Sequence, residues 1–387
     1  MPSNRRLPKC GLAVAAAFAI AACSESTAPQ AHPSDPQGLS SDLQAAFEVF
    51  GSSTFQSFSV LTFVSGSPVA PPKPAGSLLR AAPIVPPRAL AAPYLDRGPQ
   101  LQALRRMAAN FRNGITASVV PPALLGKTFT WDLTTHAYVE DGTYTPAAPS
   151  DRVRIILYAV SPTNGEIIES PLTPVGYTDL VDESTTSPAV DKLHIVVTGG
   201  SPTSPGTVYI DYTVSAQVTG NPITAFTAAA TGSVTDGTNS ITFNATYGVT
   251  QVNTDNPDVA VDVTWALSNP ALQLTLHETL TLSDADHLTL SVGEFSVARG
   301  TETVTLKGTV STVLSTGVFD LTLSVDVNRS RWANVTGNEA GVALRHPDGT
   351  RLSDPEAQAF LDLFTLWLES DYAMTILFGP PGTLMGA

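Results

Sequence analysis

Cysteine is almost missing from this chain: Cys10 and Cys23 are the only two in 387 residues. Beyond residue 23 there is no thiol, so a disulfide framework, a thiolate metal site and a cysteine nucleophile are excluded from the body. Basic residues are scarce as well, 20 Lys and Arg against 34 Asp and Glu. Phosphate neutralisation needs clustered cations, so a body this acidic argues against nucleic acid as a partner. Long hydrophobic runs are also lacking. The apolar stretch over residues 12–22 falls short of the roughly 20 residues that a membrane-spanning helix needs. Chemistry-bearing motifs are equally thin. No two of His32, His136, His194, His277, His287 and His346 have the spacing of a zinc pair. No nucleophile elbow, phosphate loop or dinucleotide fingerprint falls in a strand-to-helix context.

What is present begins at the N-terminus. Arg5, Arg6 and Lys9 precede the apolar stretch, and Ser24-Glu25-Ser26 follows it. A positive leader, a short apolar run and small residues at its end are the parts of an export signal. The run closes on Ile20-Ala21-Ala22-Cys23, which resembles the bacterial lipobox: an aliphatic residue, two small residues, then cysteine. The resemblance covers only the first two dozen residues. It implies a diacylglyceryl thioether on Cys23, cleavage between Ala22 and Cys23, and an N-acyl chain on the new terminus. A thiolate is the best nucleophile available for that alkylation, and two or more acyl chains hold a protein stably where one is marginal. Cys10 follows Lys9 with no apolar run before it, so it is no rival. Ser24, rather than Asp, after the modified cysteine points in such families to the outer membrane. The expected localisation is the bacterial cell envelope, with the bilayer as partner through Cys23.

Removing residues 1–22 takes three positive and no negative charges, leaving 17 basic and 34 acidic residues, a net of −17. The acidity sits in the second part. Residues 23–112 hold 7 basic and 5 acidic side chains, and those from 113 onward hold 10 and 29. High net charge of one sign is foremost a solubility device.

The pattern along the chain divides it into a signal peptide (1–22), a flexible tether (23–38), a helical and Pro/Ala-rich segment (39–126), a β domain (127–345) and a C-terminal helix with tail (346–387). "SDLQAAFEVFG" has the apolar spacing of a short helix, with Ser41 as its expected cap. Residues 65–99 are dense in proline, which suits an extended segment. "PQLQALRRMAANFRNG" follows as a basic amphipathic helix, with Arg105, Arg106 and Arg112 on its polar side. From residue 127 the period becomes two. Val259, Val261, Val263, Trp265 and Leu267 alternate with Ala260, Asp262, Thr264, Ala266 and Ser268, and eight long segments of this kind run to residue 327. Short turns join them ("TDGTN", "SNP", "ARGTE"), so neighbours in sequence should pair as antiparallel hairpins. At Gly293-Glu294 the apolar phase slips, which predicts a β-bulge. "RLSDPEAQAFLDLFTLWLES" then reads as a helix that opens with a Ser353/Glu356 capping box. An antiparallel sheet with one apolar face must hide it. The fold expected is mainly β: a curved meander sheet or open barrel of eight or more strands, with a few helices over its concave side.

Candidate catalytic residues are weak. Glu278 and Glu294 break apolar runs, and a phase slip accounts for both. The acid pairs Asp182-Glu183, Asp255/Asp258 and Asp284/Asp286 sit in turns and carry only fragments of a calcium loop. With no catalytic, cofactor or metal site expected, two functions remain. One is a non-enzymatic, lipid-anchored envelope scaffold or binding module with a protein partner. The alternative is a carrier of lipid or another apolar ligand in a curved-sheet cavity, an analogy of architecture alone. A hydrolase is a distant third.

Overall fold

A computed structural model describes residues 31–50, 57–58, 62–64, 67–69, 119–161, 166–187, 189–220, 223–251, 254, 257–284, 286–338 and 340–385. In chain order the elements are helix α1 (Pro36–Phe50), then strands β1 (Thr62–Val64), β2 (Ser67–Val69), β3 (Thr128–Asp132), β4 (Ala137–Glu140), β5 (Arg152–Tyr158) and β6 (Pro174–Asp182). They continue through β7 (Thr185–Thr186), β8 (Ala189–Ser201), β9 (Ser204–Thr219), β10 (Ala225–Thr235), β11 (Ser240–Thr250), β12 (Asp258–Leu267) and β13 (Leu272–Leu282). Last come β14 (His287–Arg299), β15 (Glu302–Val313), β16 (Val318–Val327), β17 (Ser330–Asn338), β18 (Gly341–Arg345) and helix α2 (Asp354–Met385).

Strands β3 to β18 form one sheet. From β8 to β18 every strand pairs antiparallel with its sequence neighbour, because the short turns leave no room for a crossover. One pair departs from this rule. The β3–β4 hairpin leaves β4 at the edge, so the chain returns past it and lays β5 parallel to β3, through Thr128–Arg154 and Phe129–Ile155. The end strands β4 and β18 do not pair, so the sheet is open.

The period-2 pattern sets which face is which. Val259, Val261, Val263, Trp265 and Leu267 of β12 are all at most 3% exposed, while Asp262 and Thr264 between them face solvent. The predicted bulge is present: His277 lies opposite Glu294 and Glu278 opposite Val292, leaving Gly293 as the extra residue. That single insertion returns Phe295 and Val297 to the buried face, both 0% exposed. Across from the bulge sits Gly308, at φ 141°, where a Cβ would strike the Thr322 carbonyl of β16. Only glycine accepts that conformation and approach together.

The concave apolar face is filled by α2. Its residues Ala359, Phe360, Leu363, Phe364, Leu366 and Trp367 share one broad apolar face and are at most 3% exposed. Sheet covers one side of it, and α1 covers another with Leu39, Leu43, Ala46 and Val49, all 0% exposed. Helix α1 also touches the sheet itself, its Asp42 pairing with Arg299 of β14, so both helices lie over the buried face. Rings of α2 meet each other and the sheet edge to face: Phe364 and Trp367 at 5.3 Å, and Phe378 and Tyr247 of β11 at 4.7 Å.

Two boundaries differ from the sequence expectation. Helix α1 starts at Pro36, five residues before Ser41. Asp35 caps it, its Oδ1 accepting the Gly38 N–H at 2.9 Å, and proline suits the first helical position. Helix α2 keeps its predicted capping box, the Ser353 N–H donating to Glu356 Oε2 at 2.9 Å. It then runs past Gly379-Pro380-Pro381 to Met385; burial of Leu377 and Phe378 against the sheet outweighs the local propensity there. The basic helix expected over residues 99–114 lies outside the described residues.

Truncating Leu363→Ala at the centre of α2 removes a fully buried side chain from between two layers. Stability should fall by about 3 kcal/mol, measured as a lower denaturant midpoint with an unchanged slope.

Candidate functional site

Among the described residues, a series of buried polar contacts on the concave face grips α2. At the helix start, Glu356 takes the Trp332 indole N–H from β17 at 3.3 Å. His346 is 8% exposed, its Nδ1 3.1 Å from the Trp332 carbonyl and its Nε2 3.6 Å from Glu356. Burial pushes the Glu356 carboxyl up, but the Ser353 hydrogen bonds and the His346 charge outweigh it and hold the group below its usual value. At mid-helix the Trp367 N–H donates to Glu278 Oε2 of β13 at 3.2 Å. Near the far end, the Tyr212 hydroxyl of β9 donates to the Leu377 carbonyl at 2.9 Å. Burial moves that phenol well above its ordinary pKa, so it stays a donor. The α1–α2 seam is held by Asp362, which accepts from Ser40, from Gln44 at 3.4 Å and from Gln358 at 3.1 Å.

Glu278 requires a correction. A phase slip explains Glu294 alone. Glu278 keeps the inward phase of Leu272, Leu274, Leu276, Leu280 and Leu282, and it is 3% exposed. The signal was legible: an acid in the apolar phase of a buried strand must find a donor, and an indole in a facing helix is such a donor.

A second inward acid lies on β8. Asp191 shares the face of Leu193 and Ile195, is 1% exposed, and its Oδ1 has no hydrogen-bond partner. Diagonally across, Asp182 of β6 receives the N–H groups of Val120 at 3.2 Å and Ser184 at 2.9 Å. Burial first, and the Asp182 charge second, raise Asp191 to about 6. On the outer face of the same sheet end, Arg154 makes a bidentate pair with Asp179 at 2.7 and 2.8 Å, and its guanidinium lies 4.6 Å from the centre of the Tyr177 ring. This pair is buried and fully matched, a structural rather than reactive arrangement.

The residues singled out from sequence fall elsewhere. Ile20, Ala21, Ala22 and Cys23 lie outside the described residues. His277 is exposed on the convex face and meets Asp262 of β12 at 2.5 Å. Asp284 takes the N–H groups of Asp286 and His287 at 2.8 Å each, as a turn aspartate does. Asp258 accepts from Gln251 at 3.0 Å. Among the described residues no three His, Cys, Asp or Glu side chains are grouped to hold a metal ion. No described helix is long and apolar enough to cross a membrane. No family model, curated protein or solved structure matches the chain. The class is thus defined by architecture: an open, mostly antiparallel sheet wrapped on a central helix.

Asp191 yields a pH prediction. Its folded pKa lies above the unfolded value, so its penalty is fully present above about pH 6 and vanishes as pH falls toward 4. Asp191→Asn should therefore be more stable than the parent at pH 8, by up to about 3 kcal/mol, with the difference closing at pH 4. Thermal unfolding at both pH values measures it.

Proposed function

We propose that this chain is a lipid-anchored lipoprotein of the bacterial cell envelope, acting as a non-enzymatic scaffold or binding module. Cys23, at the end of Ile20-Ala21-Ala22, bears the diacylglyceryl and N-acyl lipids, and the outer membrane is the proposed site. The observation that carries the scaffold reading over the carrier is the filled concave face. A carrier needs its curved sheet to enclose a ligand, whereas here α2 occupies that space and is fastened by Trp332, Trp367 and Tyr212. The bonds run both ways between sheet and helix: Glu356 of α2 accepts the indole N–H of Trp332 of β17, and Glu278 of β13 accepts that of Trp367 of α2.

Replacing Cys23→Ser should move the protein from the membrane fraction to the soluble fraction after cell lysis in high salt, which removes electrostatic attachment. Retention of the variant in the membrane fraction would overturn the anchor. Affinity capture from detergent-solubilised envelopes should recover a stoichiometric protein partner. Recovery of a bound lipid from the delipidated body instead, seen by native mass spectrometry, would favour the carrier.

A further inference from the structure

The described residues include ten lysines and arginines. Six are matched to carboxylates: Lys127 to Glu140, Arg152 to Asp151, Arg154 to Asp179, Lys192 to Glu183, Arg299 to Asp42 and Arg331 to Asp326. The other four, Lys307, Arg329, Arg345 and Arg351, have no carboxylate partner among the described residues, and all four belong to one corner of the sheet. The strand register shows how they gather. Lys307 of β15 faces Ser324, Ser324 faces Asn334, Asn334 faces Arg345, and Arg345 bridges to Arg351. They form one row across the convex face. With strands about 4.8 Å apart, Lys307 and Arg345 are about 14 Å apart. Arg329 stands at the tip of the β16–β17 turn below that row, and Arg331, bonded to Asn334 at 2.9 Å, lies between. All five cationic side chains are exposed. Two acids of the corner are engaged, Asp326 with Arg331 and Asp348 with Thr350.

In a mature chain of net −17 this is a basic island. Its position carries the second observation. The described chain begins at the same corner: His32 and Ser34 line a shallow cleft with Ser353, Pro355 and Glu356, two to five residues beyond Arg351. The Ser34 N–H donates to Glu302, at the start of β15, at 2.7 Å. Eight residues lie between Cys23 and His32, and the nine steps can reach at most about 32 Å.

On the proposed anchoring at Cys23, on which this inference rests, we propose that the β15–β18 corner is a membrane-contact surface for anionic lipid headgroups. Arg329, Arg345 and Arg351 meet the phosphates, and the turns at the opposite end of the sheet point away from the bilayer. A cationic cluster beside a lipid anchor supplies the second signal that a peripheral protein uses to fix its orientation. With no carboxylate partner among the described residues, these guanidinium groups can take phosphate contacts, Arg345 beside its Nη1 bond to the Gly349 carbonyl at 3.1 Å.

The test uses the mature chain bearing Cys23→Ser, so that binding is read without the acyl chains. It is sedimented at low salt with vesicles of phosphatidylcholine, with and without phosphatidylglycerol. The expected result is pelleting with the anionic vesicles only, reversed by high salt. The variant Arg329→Gln/Arg345→Gln/Arg351→Gln should bind about a hundredfold more weakly, at roughly fivefold per arginine, with an unchanged circular dichroism spectrum. A matched variant, Arg105→Gln/Arg106→Gln/Arg112→Gln, should bind as the parent does. No pelleting with anionic vesicles, or loss of binding in the second variant and not the first, overturns the proposal. Mass spectrometry of the parent's N-terminal peptide reports separately whether Cys23 carries lipid, so failure of the anchor and failure of the corner are distinguishable.

Discussion

A β-sheet in which each strand buries alternate side chains has no stable existence until something covers the buried face, and here that face is fifteen strands wide along its main path. The covering element is one helix. Between Glu356 and Leu377 the helix spans about 32 Å, while the strands it touches, from β17 to β9, extend over about 38 Å of sheet. A chord shorter than the sheet it subtends is what a wrapped sheet produces. Core, curvature and layer order follow from that one packing arrangement, and α1 closes the side that the sheet leaves open.

Polar groups inside this core decide where the helix sits. Apolar packing between a helix and a smooth inner face would tolerate sliding or rotation, since one Leu or Val row resembles the next. Indole and phenol groups do not tolerate it: each has a donor that must be satisfied at one place. Trp332 to Glu356, Trp367 to Glu278 and Tyr212 to Leu377 sit at successive points along α2 and define both its depth and its rotation. The buried acids on this face thereby have a structural explanation, with Asp191 as the exception that remains without a donor.

Most of the strand inventory was legible because antiparallel neighbours joined by short turns are a local matter, and alternation in β9 to β16 states which face is buried. The bulge at Gly293 was legible for the same reason, as a slip in phase. Glu278 was legible in part: the leucines on either side place it inward, but its donor, an indole of a facing helix, is given by no local pattern. The parallel contact between β3 and β5 depends on a chain reversal around β4 that no local pattern announces. The start of α1 was displaced because Ser41 is an acceptable cap in isolation, while Asp35 competes better in the folded chain. The basic corner was hidden altogether. Lys307, Arg329, Arg345 and Arg351 are spread over 45 residues and become neighbours only through strand register.

Because β4 and β18 never meet, strand number is not fixed by closure as it is in a barrel. Each hairpin of the meander touches only the strands beside it, so adding or removing two strands would keep every remaining strand in its direction and facing. The limit comes from the helix: width that extends beyond α2 has nothing to lie on. The architecture can thus be lengthened in paired steps, with helix length as the ruler.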